Sequence, residues 1–359
     1  MTGGGVYPAL AVLQALENNI DQVLWIGSES GLEASLLNQY NLEYQTIPAA
    51  GLHSVGLLSV PSNLIQLSRG WLHARKIIKQ FKPDVLFFTG GYLGVPVAFA
   101  GKKIPSVVFI PDIMPGLALK VVNRFAEKTA IISTKSKEYL REQNAIVTGY
   151  PLRSELANWD RKKGRKHFNI SFEEKVLLVF GGSKGARSIN NALIDALPAL
   201  LERMHVIHIT GKDLWEEVQS GLGKEKLDYR ERYHSYPFLG KEMGAALAAA
   251  DLVVCRAGAS TLGELPHFAL PAILVPYPHA WDYQHKNAEA LSGIGGAVIL
   301  EDDELEVLPM KILSLINNEK MLSSMGNAMI SIATPDAAGK IAKLIRNIAS
   351  GSKKEVRRG

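Results

Sequence analysis

The residues best suited to chemistry lie in glycine-rich turns at the ends of short apolar runs. Gly181-Gly182-Ser183-Lys184-Gly185-Ala186-Arg187 follows the run VLLVF (176–180) and opens a helical pattern. Such a turn leaves backbone N–H groups unobstructed and the helix start adds partial positive charge, a combination that favours a pyrophosphate. Ser183 can add a hydroxyl donor. The turn is neither the dinucleotide fingerprint, whose third glycine is misplaced here, nor a phosphate loop ending in Gly-Lys-Ser/Thr. A tight strand-to-helix turn that needs glycine only for space is the alternative reading.

CRAGASTLGEL (255–265) repeats the design after another apolar run. Thr261 and Glu264 have the spacing of a capping box, in which Glu264 only ties back to the helix start. Placed beside a nucleotide, the same carboxylate would accept hydrogen bonds from a ribose diol. In PHAWDYQHKNA (278–288), His279, Asp282 and His285 have three-residue spacing but no matching ligand pattern elsewhere. No metal is therefore expected, and Asp282 and Gln284 suit sugar hydroxyls better. In the first half, Thr2-Gly3-Gly4-Gly5 precedes Pro8, which favours a helix start. Gly90-Gly91-Tyr92 follows DVLFFT, and Asp112 follows SVVFIP, where it can face a ligand or simply form a turn.

These turns need a scaffold that ends strands at one edge. QVLWIG (22–27), DVLFFT (84–89), SVVFIP (106–111) and TAIIST (129–134) are predicted strands in the first half; VLLVF, VIHIT (206–210), DLVVC (251–255) and AILVP (272–276) follow in the second. Between them, segments such as KSKEYLREQ and INNALIDALPALLERM have helical spacing. The alternation predicts an α/β chain with doubly wound parallel sheets that bind ligands at the carboxyl ends of their strands. Domains are expected at 1–149 and 172–330, with a charged linker at 150–171 and a last helix and basic tail at 331–359 packing toward the first domain. The glycine run at Thr2 has no residues ahead of it to form its strand, so the first domain is expected either to lack its opening strand or to begin upstream.

The 359 residues suffice for two domains with real cores, and 47% hydrophobic with 21% charged residues excludes wholesale disorder. A single cysteine, Cys255, excludes an internal disulfide framework and fits a reducing cytosol. The N-terminus lacks the basic and cleavage features of a signal peptide. The uncharged stretch 85–101 is broken by Gly90-Gly91 and Pro96, and reads as a buried strand, a loop and a helix. The net charge of +5 is too small to name nucleic acid as a partner. Part of the excess is local, however. No acidic residue occurs from Tyr44 to Pro83, while Arg69, Arg75, Lys76, Lys79 and Lys82 do. The same stretch holds GLLSVPSNLIQL, read as a loop with exposed apolar residues. Apolar groups beside a basic helix suit an anionic membrane surface, and an ordinary helix with a solvated basic face is the alternative.

The runs TGGGVYPALAV, GGY, TGYPLR, GGSKGARSIN, MGAALAAADLVVCRAGASTLGE and DYQHKNA occur in this order. Together they resemble the MurG family of N-acetylglucosaminyltransferases over nearly the whole chain. The resemblance implies a GT-B fold, two Rossmann-like domains facing a cleft. It also implies an inverting, metal-independent transfer with no cofactor. The sugar moves from UDP-N-acetylglucosamine to a polyprenyl-linked muramoyl-pentapeptide, in peptidoglycan synthesis at the cytoplasmic face of the membrane. Contacts with other cell-wall synthesis proteins are a further implication. Ser183, within Gly181, Gly182, Lys184 and Gly185, matches the diphosphate loop; Arg153 matches the interdomain arginine. Leu239 matches the position beside uracil, Glu264 the ribose carboxylate, and Gln284 and Asn287 the sugar site. Thr2, Gly3, Gly4 and Tyr92 fall on positions facing donor sugar and acceptor. Two positions depart from the family pattern. Gly5 stands where the family's TGGH has histidine, and Asp112 stands where its HEQN has asparagine, which makes Asp112 the candidate base. A transferase using another lipid acceptor and a non-catalytic UDP-sugar-binding paralogue remain as alternatives.

Overall fold

The computed structural model describes residues 5–16, 20–27, 40, 42–48, 60–140, 144–222, 227–280 and 282–356. The chain divides into two compact units, Met1–Pro151 with Asp336–Gly359, and Leu152–Pro335.

The second unit carries a six-stranded, all-parallel sheet in the order β12-β11-β10-β7-β8-β9. Its strands are β7 (Val176–Phe180), β8 (His205–Ile209), β9 (Tyr233–Tyr236), β10 (Leu252–Cys255), β11 (Ala272–Leu274) and β12 (Ala297–Ile299). The apolar runs form the central strands because helices bury both faces; every residue of β7, β8 and β10 is buried. Leu177, Val179, Val254 and Ile273 pack with Leu193 and Leu197 of a helix at Arg187–Leu201. Each such side chain contributes roughly 1.5–3 kcal/mol by leaving water.

Residues 152–171, expected as a linker, belong to this unit. Helices at Ser154–Ala157 and Arg161–His167 pack on a third at Met243–Ala249. The reason is Arg165, buried in the charged run. It donates to Asp251 at 2.9 Å and to the carbonyls of Ala249, Ser171, Phe172 and Glu174 at 2.6–3.2 Å. A guanidinium with its donors so occupied is a structural anchor, not a solvated charge.

The first unit holds two parallel sheets, β1-β2 and β3-β4-β5-β6. These comprise β1 (Leu24–Gly27), β2 (Glu43–Thr46), β3 (Leu86–Phe88), β4 (Ser106–Ile110), β5 (Lys128–Ile131) and β6 (Ala145–Val147). Helices α1 (Val6–Leu16), α2 (Val60–Phe81) and α3 (Gly94–Ala100) alternate with them, and the last helix, Ala337–Val356, packs on α1 and on β4. The uncharged stretch at 85–101 forms β3, a turn and α3. Among the described residues no helix is long and apolar enough to cross a membrane. KSKEYLREQ does not form the expected α-helix; Thr134–Tyr139 is a 3₁₀ segment. Residues 60–67 of the expected apolar loop are helical, as the start of α2, and 51–59 lie outside the described residues.

Candidate functional site

In the second unit, strand register brings the sequence motifs to one edge. Phe180 is level with Cys255, Cys255 with Leu274, Phe180 with Ile209, and Ile209 with Tyr236. The segments that begin at Gly181, Arg256, Val275, Thr210 and Pro237 therefore leave the sheet side by side. This is the edge where parallel sheets hold ligands.

The turn after β7 is shaped by its glycines. Gly182 and Gly185 have φ of +96° and +85°, and the Gly185 N–H donates to the Gly182 carbonyl at 3.0 Å. A β-carbon on Gly185 would run into the Thr210 carbonyl oxygen, so the turn sits directly on the end of β8. Gly182, Ser183 and Lys184 face solvent at the start of the Arg187–Leu201 helix. Beneath them lies a buried polar chain that spacing alone did not suggest. Asn190 donates to the Thr210 carbonyl at 2.9 Å and bonds His208 Nε2 at 3.1 Å, and His208 Nδ1 bonds the Tyr233 hydroxyl at 2.7 Å. Burial lowers the His208 pKa to about 3, so its ring is neutral, and raises that of Tyr233.

After β10, Ser260 Oγ donates to Glu264 Oε2 at 3.0 Å and Thr261 Oγ1 to the Gly258 carbonyl at 2.6 Å. The capping box is not formed: the Ser260 hydroxyl, not a backbone N–H at the helix start, meets the Glu264 carboxylate. Glu264 is half-buried, and the atoms crowding its carboxyl raise its pKa. The Ser260 hydrogen bond and the positive charge of Arg153 act in the opposite direction. Arg153 is brought there by the helix at Ser154–Ala157, which His267 Nε2 holds through the Ala157 carbonyl at 3.1 Å.

Asn287 is fully buried, with Nδ2 donating to the Ala257 carbonyl at 3.1 Å. It supports the loop after β10. Gln284 Oε1 accepts from the Tyr277 N–H at 2.9 Å and fixes the turn after β11. Leu239 is buried, while Phe238 stays half-buried with Lys212 Nζ 4.7 Å from its ring centre. Two supporting residues had no distinctive sequence signal. Ser260 is hidden in a run of small residues. Arg256 pairs with Asp302, donates to Ser188 at 2.9 Å and reaches the Val275 and Pro276 carbonyls at 3.3 and 3.2 Å. Its guanidinium thus ties the loops after β10 and β11 to the helix that follows the glycine turn. His279 packs edge-on against Tyr277, and His285 lies 3.8 Å from Glu301. Among the described residues no group of three or more His, Cys, Asp or Glu is placed to hold a metal ion.

In the first unit, Phe88 is level with Val108, so the turns after β3 and β4 share an edge. Gly90 and Gly91 have φ of +139° and +82°, Tyr92 is exposed, and Asp112 is half-buried just past β4. Gly5 lies at the same edge, its carbonyl accepting from Thr89 Oγ1 at 2.7 Å. Thr2, Gly3 and Gly4 lie outside the described residues. On α2, Arg69, Arg75, Lys76 and Lys79 are all exposed. Ile65 and Leu72 are also exposed, at 55% and 57%, and helical spacing puts them on one stripe with Arg69, Lys76 and Lys79. Gly70, Ala74 and Ile77 form the opposite, buried face.

Two family models cover most of the chain. The glycosyltransferase family 28 N-terminal domain matches residues 2–131, and the glycosyltransferase family 28 C-terminal domain matches residues 176–341. A relative from Desulforamulus reducens, named UDP-N-acetylglucosamine--N-acetylmuramyl-(pentapeptide) pyrophosphoryl-undecaprenol N-acetylglucosamine transferase, is 35% identical over 360 residues, 97% of this chain and 96% of its own length. The chain belongs to the MurG family. A relative of the same name from Halothermothrix orenii is 34% identical over 98% of both chains. The crystal structure of Acinetobacter baumannii MurG superimposes with a TM-score of 0.74 at 26% identity, covering 96% of this chain and 97% of that one. Two Rossmann-like α/β units with parallel sheets are the architecture of MurG and of GT-B glycosyltransferases, and this chain is a hexosyltransferase of that type.

Proposed function

We propose that the chain transfers N-acetylglucosamine from UDP-N-acetylglucosamine to the 4-hydroxyl of the muramoyl sugar of lipid I, with inversion, to give lipid II for peptidoglycan. The observation that carries this reading is the edge of the second sheet, where the glycine turn and the Ser260–Glu264 pair leave β7 and β10 side by side. Each piece has a role in the reaction. The backbone of the exposed Gly182–Lys184 turn and the helix start behind it take the diphosphate and stabilise its charge as UDP departs, with no bound metal. Glu264 accepts the ribose hydroxyls, uracil packs beside Phe238 and Leu239, and Gln284 faces the sugar. Arg153 adds positive charge near Glu264.

The acceptor hydroxyl attacks the anomeric carbon from the face opposite the leaving UDP, and its proton goes to a base on the acceptor side. Asp112 is that base, with Tyr92 and the Thr2–Gly4 run on the same side of the reaction. Proton transfer of this kind contributes about 10²–10⁴-fold. The stripe on α2 rests on the cytoplasmic face of an anionic membrane, peripherally, where the lipid-linked acceptor resides. The experiment supplies UDP-N-acetylglucosamine and lipid I in detergent. A β-linked disaccharide product is expected. UDP release without it would favour a different lipid acceptor, the reading suggested by Gly5 and Asp112. UDP binding without turnover would mark a non-catalytic paralogue.

A further inference from the structure

Two short helices of the second unit are tied together by a residue that lies outside every glycine turn. The helix at Thr261–His267 carries Glu264 and, three residues on, His267, so the two side chains share one face. His267 Nε2 bonds the Ala157 carbonyl at 3.1 Å, and Phe268 packs edge-on against the imidazole with 4.8 Å between ring centres. A carbonyl only accepts, so the nitrogen at this contact carries the proton. Ala157 ends the helix at Ser154–Ala157, and Arg153 stands at its start. The Ala157 N–H donates to the Arg153 carbonyl at 3.0 Å, so a shift at one end of this single turn moves the other.

A four-residue helix cannot hold itself in place. No side chain caps its start, and one turn makes too few hydrogen bonds to offset the cost of ordering it. Its position therefore comes from its neighbours. Leu156 is buried, and a β-carbon on Gly244 would collide with the Leu156 carbonyl, so the turn sits tightly on the helix at Met243–Ala249. The His267 bond ties it directly to the helix that bears Glu264. Across this link the positive charge of Arg153 favours the ionised form of the Glu264 carboxyl. We propose that His267 is a positioning residue for the donor site: it holds Arg153 at the distance from Glu264 at which the carboxylate takes the ribose hydroxyls of UDP. It acts through the arginine and not by touching the nucleotide. The proposal rests on the reading of Glu264 as the ribose acceptor.

Glutamine places an amide nitrogen close to where the imidazole carries Nε2, so His267→Gln keeps a donor for the Ala157 carbonyl and His267→Leu removes it. Titration calorimetry should give His267→Leu a Kd for UDP roughly 2- to 10-fold above that of the parent, the worth of one neutral hydrogen bond, with His267→Gln close to the parent. Arg153→Leu should weaken UDP binding further. The His267→Leu, Arg153→Leu double variant should bind no more weakly than Arg153→Leu alone, because His267 acts only through the arginine. A carbon-13 titration of the Glu264 carboxyl supplies a readout that loosened packing alone would not move. The groups that interact with that carboxyl are Ser260 in its own loop, Arg153 from the short helix, and Cys255 of β10, whose thiol burial keeps protonated. His267→Leu and Arg153→Leu should both raise the Glu264 pKa above that of the parent, and His267→Gln should not. Effects on UDP binding that multiply in the double variant would overturn the proposal, as would a Glu264 pKa unmoved by His267→Leu or moved equally by His267→Gln. A parent that fails to bind UDP would overturn the donor-site reading as well, whereas each of the other results overturns the coupling alone.

Discussion

Glu264→Gln separates the ribose-binding role of this residue from a purely structural one, because the two predict opposite signs. Gln keeps the size of the side chain and an acceptor for Ser260 Oγ, which donates to Oε2 at 3.0 Å. What it removes is the charge. A charge-assisted hydrogen bond is worth about 1.5–3 kcal/mol and a neutral one about 0.5–1.5 kcal/mol. Two ribose hydroxyls therefore lose roughly 2–3 kcal/mol between them, or about 30- to 150-fold in the Kd for UDP. Stability should move the other way. Crowding by protein atoms raises the Glu264 pKa against the opposing effects of Ser260 and Arg153. The unfolded chain thus ionises at the ordinary carboxylate pKa while the folded chain resists, so this group costs stability as pH rises through that interval. Gln does not ionise and escapes the cost. Titration calorimetry with UDP and thermal unfolding at pH 4 and pH 8 read both quantities. Glu264→Gln should bind UDP weakly at pH 8 and melt above the parent there, with no such advantage at pH 4. A parent-like Kd, or a variant less stable than the parent at pH 8, would refute the assignment.

Asp112→Asn should lower kcat by about 10²–10⁴-fold in the lipid I assay and leave the Kd for UDP unchanged; loss of UDP binding would place Asp112 elsewhere in the reaction. The second unit should be acid-sensitive. Burial lowers His208 to about 3 and His234 to about 4, so protons bind the unfolded chain first and stability is lost as pH falls from about 6.5 toward those values. Each proton accounts for about 1.4 kcal/mol per pH unit, and urea titrations of His208→Gln should show a shallower slope if His208 is one of the groups. Replacing Arg69, Lys76 and Lys79 by Gln removes three charges from one stripe of α2, at about 1 kcal/mol each near an anionic surface. Binding to phosphatidylglycerol vesicles should fall by roughly 100-fold, and binding that persists would return the stripe to an ordinary solvated face.

Central strands were easy to read because burial on both faces leaves them continuously apolar. VLLVF, SVVFI and LVVC fall on β7, β4 and β10. Edge strands were not. YHSY (β9) and EYQT (β2) are polar or mixed, since an edge or half-covered strand has less need of apolar side chains. The charged run at 160–171 misled for a related reason: composition suggests a linker, yet a single buried Arg165 with carbonyl partners turns it into packed structure. Glycine turns were legible because few other residues reach φ of +85° to +96°. The side chains supporting them, Asn190, Ser260 and Arg256, were not. Their roles depend on partners 4 to 68 residues away, which no local pattern encodes.

The two departures from the family pattern lie at the same sheet edge of the first unit. The Gly5 carbonyl rests on Thr89 Oγ1, and a β-carbon at Gly5 would stand 3.3 Å from the Thr89 carbonyl oxygen, tight enough that the contact must open for any larger residue. A side chain at this position requires the Thr89 carbonyl to give by a few tenths of an ångström. The register of β3 with β4 then puts Asp112 at the same edge as the residue that replaces the histidine. An inverting transfer needs its base on the acceptor side, opposite the leaving diphosphate. On the proposed reading, Asp112, one strand away from the position of the family's histidine, would meet that need without rebuilding the second unit. On this reasoning, restoring histidine at Gly5 alone should disturb the β3 edge without replacing Asp112, and the Gly5→His, Asp112→Asn double variant tests it: recovery of transfer would show that the imidazole can still serve from this loop.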